Sequence, residues 1–314
     1  MRKILVTGGL GFIGYHLIKH LFHKYKDLQI TVIDNLSSTQ IDFSHLYSHL
    51  HIIIKDLLEY EMLNNEFSDI YHLASPVGSL GILTRNGFVA KNIIDLTYKV
   101  VDIAKQCKAR LLFVSSSEVY GHSGMHDENA VKLIGNIYGT RTEYALGKLT
   151  SEIILQNLNI CNKLAFNTAR PFNVVGEHQS SKIGFVFPAF FENALLERDI
   201  EVFYDGSQKR SFCHVEDIVK ALVAIQESDV NGEIFNVGHD RNTTTILDLA
   251  LRIKLACNSA SKIVHIDPVK KFGRCYVEAF DKIPDIKKIS GRLGWRPEID
   301  LNSAIERLLH YYRQ

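Results

Sequence analysis

Cysteine is scarce in this chain. Five residues (Cys107, Cys161, Cys213, Cys257 and Cys275) are spread over 314 positions, odd in number and without a C-x-x-C pair. Such a set fits reduced core thiols rather than a disulfide framework or a zinc centre, so no metal is expected. Long apolar runs are missing as well. No window approaches the roughly 18 uncharged apolar residues of a membrane span, and Met1-Arg2-Lys3 leads straight into Ile4-Leu5-Val6 with no signal-peptide stretch between. A cytoplasmic protein with no membrane partner is expected. An excess of charge is the third absence: 36 Lys+Arg against 35 Asp+Glu leave +1, which argues against nucleic acid as a partner. What remains is apolar, 46% of the residues, enough to fill the cores of about two domains at roughly 150 residues each and to exclude disordered or fibrous architectures.

Strand-length apolar runs alternate with helix-period segments through the first half, as repeated βαβ units do. Strands are expected near Lys3–Thr7, Ile30–Asp34, His51–Ile54, Asp69–Ala74, Leu111–Ser115 and Leu164–Arg170. Between them Ile13, Leu17 and Leu21 share one helix face, and Val89–Lys105 and Tyr144–Leu158 have the length and periodicity of crossover helices. The fold class is α/β, a doubly wound parallel sheet of Rossmann type with a smaller C-terminal substrate-binding domain. After Pro171 the alternation breaks; one helix is expected at Pro188–Leu196 and others near Leu247–Ala256, Pro284–Leu293 and Leu301–Tyr311. The boundaries read as 1–173 for the dinucleotide-binding domain, with 210–238 returning to it, and 174–209 with 239–314 for the substrate domain.

Three clusters carry chemistry. Thr7-Gly8-Gly9-Leu10-Gly11-Phe12-Ile13-Gly14 follows strand one and opens helix one. There Gly8 permits a tight turn, Gly11 lets the backbone approach a pyrophosphate, and Gly14 allows close helix–strand packing. Such a run alone also suits a plain turn, but Asp34 ends strand two 20 residues after Gly14, where an acid accepts bonds from ribose hydroxyls and repels a 2′-phosphate. No Arg or Lys follows within Asn35–Gln40, so NAD is favoured over NADP. In Tyr144-Ala145-Leu146-Gly147-Lys148 the i, i+4 spacing sets a phenol beside an ammonium on one helix face, a pair that can take a proton from an alcohol and that, by spacing alone, also suits a surface pair. The third cluster, Ser115-Ser116-Ser117-Glu118, lies past the C-terminal end of strand five, the ligand edge of a doubly wound sheet; an ordinary Ser-rich loop reads the same way.

These three clusters, with 108 residues from Gly8 to Ser116 and 28 from Ser116 to Tyr144, resemble the extended short-chain dehydrogenase/reductase family that modifies nucleotide sugars. The resemblance covers essentially the whole chain. It extends to Asp34-Asn35-Leu36-Ser37, Asp56-Leu57, Leu73-Ala74-Ser75 and Arg170-Pro171-Phe172-Asn173, to the Arg210 segment ending at Asp217, and to Gly294-Trp295-Arg296-Pro297. It implies NAD held by Gly8, Gly11, Phe12, Ile13 and Gly14, by Asp34, Asn35 and Ser37, by Asp56 and Leu57, and by Leu73, Ala74 and Ser75, with Asn92, Tyr144, Lys148 and Pro171 completing the set. Ser116, Tyr144, Lys148 and Glu118 are implied at the reaction. Ser117, Asn173, Arg210 and Arg274 are implied on a nucleotide-diphosphate sugar, guanidinium geometry suiting phosphate. A homodimer built on the two crossover helices is implied too. Three departures stand out: Asp95 where relatives commonly carry Gly, Thr142 in a slot usually held by Ser, and Gly147, which weakens a helix by up to about 1 kcal/mol relative to Ala.

The shared first step of such enzymes oxidises the sugar at C4, with Tyr144 taking the hydroxyl proton, Ser116 orienting the oxygen and NAD accepting the hydride. The 4-keto sugar is then epimerised, dehydrated, decarboxylated or released. Ser-Ser-Glu at 116–118 resembles the decarboxylase-like branch most, since relatives that only epimerise often have a neutral residue at Glu118 and dehydratases usually have Asp at Ser117. A 4-dehydrogenase and a 4,6-dehydratase stay open, as do a non-catalytic NAD-binding protein and a plain alcohol dehydrogenase of the same fold. Two histidine groups are expected at the surface: His16, His20 and His23 on a solvated helix face, and His122 and His126 in a polar loop.

Overall fold

The alternating apolar runs become a seven-stranded parallel sheet. The computed structural model describes residues 1–37, 48–62, 66–78, 82, 87–121, 126–135, 137, 139–273, 276, 278 and 281–314. Its sheet is built from β1 (Arg2–Thr7), β2 (Leu28–Asp34), β3 (Leu50–Ile54), β4 (Asp69–His72), β5 (Arg110–Val114), β6 (Phe166–Pro171) and, after four short strands, β11 (Ile234–Val237). The order is β11-β6-β5-β4-β1-β2-β3. Chain order therefore runs one way from β1 to β3 and the other way from β4 onward, which opens a crevice at the carboxyl ends of β1 and β4, where ligands of such sheets bind.

Both faces of the sheet are covered, so its strands are continuous apolar runs rather than alternating ones. On one face Ile4 and Val6 pack with Leu17 and Leu21 of helix α1 (Phe12–Lys24) and with Leu222 of helix α5 (Val215–Glu227). On the other, Leu5 and Phe113 meet Leu96 and Val100 of α2 (Val89–Cys107) and Leu155 of α3 (Thr140–Ile160). Each fully buried side chain of this kind contributes about 1.5–3 kcal/mol of transfer free energy. Gly147 now has a reason: a Cβ there would stand 2.9 Å from Ala90 Cα, so its absence lets α3 lie directly against α2. The helix propensity it gives up is exchanged for that approach.

A third core, with Phe187 and Phe191 of α4 (Val186–Leu195), Leu249 of α6 (Ile246–Cys257) and Leu308 of α9 (Leu301–Tyr312), belongs to the C-terminal part. The stretch after Pro171 is richer in strands than its punctuation suggests: β7 (Val174–Val175) pairs with β10 (Cys213–His214), and β8 (Ile200–Phe203) with β13 (Ile263–Ile266). Strands this short carry too few residues for a period-2 pattern to register.

Three local expectations need correcting. The helix expected near Pro284–Leu293 begins only at Lys287, after a turn in which Asp285 accepts a hydrogen bond from the Lys287 amide. His16 is buried, not solvated: its Nε2 lies 2.9 Å from the Glu177 carbonyl and its ring meets Phe12 edge-on. Burial lowers its pKa to about 4. His126 is buried as well, its ring packed against Tyr120 and Phe172 and its Nδ1 3.1 Å from the Ile283 carbonyl. In both cases a segment distant in sequence covers the ring, which no local period reveals. His122, Cys275 and Arg274 lie outside the described residues. No helix among the described residues is long and apolar enough to cross a membrane.

Candidate active site

The crevice holds a cavity of about 340 Å³ that runs from the glycine turn to Glu118. Its floor is the turn itself. Gly8 adopts φ +71, and a Cβ on Gly14 would lie 2.6 Å from the Gly8 carbonyl oxygen, so any side chain at Gly14 would push α1 off the turn. Gly11 is the N-cap of α1 and no side chain caps the helix there. A helix start bare of side chains, with the positive end of its dipole toward the cavity, suits a pyrophosphate.

Asp34 ends β2 at the rim, with its carboxylate fixed by two backbone donors, the Leu10 amide at 3.0 Å and the Leu36 amide at 2.8 Å. Lone pairs remain on both oxygens for further donors. Asn35 donates to Asp56 at 3.1 Å, and Asp56 in turn caps the short 3₁₀ turn at Leu57–Glu59. Every residue that the sequence assigns to the cofactor, from Gly8 to Pro171, lines this one cavity, and so do Ser116, Ser117, Glu118 and Asn173. Lys55 lines it too; the reading of residues 35–40 could not reach that basic group, because the sheet register, not the sequence interval, brings the end of β3 beside Asp34.

Ser116, Tyr144 and Lys148 stand where β5 ends against α3. Tyr144 is 7% exposed, with the Ser116 and Ser75 hydroxyls beside its phenol. Burial raises its pKa, and those two hydroxyls oppose that rise. Lys148, 2% exposed, donates to the Val114 carbonyl at 2.8 Å, with its Nζ 6.0 Å from the centre of the Tyr144 ring. Burial lowers Lys148 to about 7, while Glu152 works to raise it.

Glu118 lies in the 3₁₀ turn Ser117–Tyr120, where its amide donates to the hydroxyl of the capping Ser116. Its carboxylate is clamped by Arg141, at 3.1 Å, and by Lys282. Burial alone would raise the Glu118 pKa, yet the charges of Lys282 and Arg141 prevail and hold it at about 2. In this state it is a carboxylate that accepts hydrogen bonds and resists protonation near neutrality. Arg141 and Lys282 were missed by the sequence reading. A signal for Arg141 existed, since it precedes Tyr144 by three residues on the same helix face; none existed for Lys282, which arrives from the C-terminal part.

Two expected substrate contacts sit differently. Asn173 lines the cavity but donates to the Ser211 carbonyl at 3.0 Å. Arg210 is outside the lining and bonds Glu278 at 2.7 Å, with Tyr276 on the other Glu278 oxygen.

A glycine turn, a fixed acid at the end of β2 and a Ser–Tyr–Lys set at the end of β5 define a dinucleotide-dependent oxidoreductase site on a doubly wound sheet, and the residues present fit NAD. The chain belongs to the NAD dependent epimerase/dehydratase family, whose model matches residues 4–238. It is 27% identical over 319 residues to UDP-N-acetyl-alpha-D-glucosaminuronate decarboxylase of Bacillus cytotoxicus, covering all of this chain and 98% of that protein. UDP-glucuronic acid decarboxylase 1 of Xenopus tropicalis is 30% identical over 318 residues, all of this chain and 72% of that one. Among solved structures, UDP-glucuronic acid 4-epimerase of Bacillus cereus, in complex with UDP-glucuronic acid and NAD, superposes with a TM-score of 0.84 at 25% identity over 99% of each chain. The protein is an NAD-dependent enzyme of this family.

Proposed function

We propose that the enzyme oxidises a nucleotide-diphosphate hexuronate at C4 and then decarboxylates it. The observation that carries this reading is the clamp on Glu118, where two cations, Arg141 and Lys282, face one carboxylate beside Tyr144 and Ser116. With Arg210 and Glu278 counted in the same cluster, three cations still outnumber two carboxylates, and that surplus of positive charge suits an anionic substituent on the sugar. The relatives that act on uronates point the same way.

Tyr144 removes the C4 hydroxyl proton, Ser116 holds the same oxygen, and the Lys148 ammonium stabilises the phenolate that the transfer requires. NAD, when bound, takes up the hydride from C4. The resulting ketone lies β to the C6 carboxylate, so breaking the C5–C6 bond releases carbon dioxide and leaves its electron pair delocalised onto the C4 oxygen. Donors directed at that oxygen, Tyr144 and Ser116, stabilise it. Proton return to C5 and reduction of the ketone then close the cycle. The C-terminal part, 239–314 with 174–209, carries the nucleotide-sugar side of the site.

The test is a panel of nucleotide sugars followed by mass analysis of the product. A product lighter by carbon dioxide from a uronate supports the reading, an isomer of unchanged mass assigns the enzyme as a 4-epimerase, and a product lighter by water assigns it as a dehydratase. For the cofactor, the Asp34 carboxylate favours a free ribose over its 2′-phosphate. NAD should bind at least about tenfold more tightly than NADP, roughly 1.4 kcal/mol; equal dissociation constants in calorimetry would remove Asp34 from cofactor choice. Assembly as a homodimer through α2 and α3 is supported by Tyr98 and Ile153, about half exposed on those helices. Light scattering is expected to give twice the chain mass, and a monomer at micromolar concentration would exclude it.

A further inference from the structure

Three consecutive residues at the end of β5 are each held by one of three residues spaced four apart on α3. Ser116 meets the Tyr144 phenol, the Val114 carbonyl accepts from Lys148 at 2.8 Å, and the Ser115 hydroxyl donates to the Glu152 carboxylate at 2.5 Å. The first two contacts belong to the reaction; the third has had no part in it. Glu152 and Arg170 of β6, each 2% exposed, form a bidentate pair with Nε–Oε1 at 3.0 Å and Nη2–Oε2 at 2.6 Å. Arg170 is itself fixed, its Nη1 donating to the Tyr120 hydroxyl at 2.9 Å. A carboxylate anchored this firmly cannot drift from the helix face that it shares with Tyr144 and Lys148.

We propose that Glu152 is a positioning residue of the reaction, whose carboxylate, braced by Arg170, locks the Ser115–Ser116 strand end in register with α3 and keeps the Lys148 ammonium charged beside Tyr144. This rests on the reading of Tyr144 as proton acceptor.

The groups around Lys148 bear it out. From β4, His72 faces Lys148 but bonds Thr7 at 2.7 Å and is neutral, burial holding its pKa at about 3. From β5 come the Phe113 ring, 5.0 Å away, and the Val114 carbonyl, neither with a full charge. On α3 itself stand Tyr144 and Glu152, and Arg170 lies beyond Glu152 on β6. Burial pulls Lys148 down to about 7, and Glu152 opposes that pull. Without Glu152 nothing of full charge on these elements opposes that pull, and Lys148 holds its proton less firmly beside Tyr144.

Glu152→Gln alone strands a buried guanidinium and is expected to fold poorly, so the test removes both charges, with Glu152→Gln and Arg170→Met together. In the NAD-loaded protein, NMR of isotope-labelled tyrosine, assigned by Tyr144→Phe, should show the Tyr144 titration displaced upward by about one pH unit or more. With substrate, the rising limb of the oxidation rate should move upward by the same interval, a loss of roughly tenfold at neutral pH, while NAD affinity stays within about threefold. A folded double variant with the Tyr144 titration unmoved would overturn the proposal. Ser115→Ala leaves the ion pair whole and tests the register separately: the titration should stay in place while oxidation slows about tenfold, and a wild-type rate would remove that part. The NMR arm needs no substrate, so a failure to oxidise any nucleotide sugar would count against the proposed reaction and leave the role of Glu152 still decided.

Discussion

Replacing Tyr144 with phenylalanine is expected to lower the oxidation rate by about 10²–10⁴-fold while NAD affinity stays nearly unchanged. In the proposed reaction the phenol takes the C4 proton, and phenylalanine keeps the ring that packs against Ile93 and Val89 while deleting only the oxygen beside Ser116 and Ser75. The direction of the pH response follows from burial. Tyr144 is raised above its ordinary value, so the wild-type rate should climb with pH until the phenolate forms. The phenylalanine variant has no such group and its residual rate should lose that climb. Stopped-flow absorbance of NADH, recorded across pH for both proteins, checks the magnitude and the slope together. A near-wild-type rate would take Tyr144 out of the mechanism.

Glu118→Gln should give the second-largest effect, and in a different step. The change preserves volume but removes the carboxylate that pairs with both Arg141 and Lys282. Added positive charge does not weaken a uronate, so KM is expected to hold or fall. Product formation should drop by at least about 10²-fold, with the reduced cofactor accumulating because oxidation at C4 does not use Glu118. Held at about 2, the carboxylate is already ionised at neutral pH, and its part is to accept and to orient rather than to donate. Single-turnover absorbance beside product analysis separates the cases: accumulation of NADH assigns Glu118 to the step after the ketone, and equal small losses in both steps would assign it to neither.

The parts of this site that were legible in the sequence are those whose geometry is set within a few residues. The turn at Gly8–Gly14, the acid closing β2 and the i, i+4 pair on α3 are local devices, and all of them line the one cavity. What closes the site is not local. Lys282 reaches Glu118 across 164 positions, as 282 less 118 gives, and Arg170 meets Glu152 only because β6 packs against α3. Gly147 looked like a helix defect because the sequence does not show Ala90 lying against it. His16 and His126 looked solvated because the segments that bury them, at Glu177 and at Ile283, are supplied by tertiary packing. Residue types mark the chemistry, whereas the electrostatic setting of each group comes from neighbours that only the fold assembles.

The most direct measurement mixes NAD-loaded enzyme with a UDP-hexuronate in a single turnover, following NADH absorbance and product mass together. The account predicts transient formation of NADH, its decay, and a nucleotide sugar lighter by carbon dioxide. Absence of any NADH transient with every nucleotide sugar tried, from protein shown to hold NAD, would contradict it.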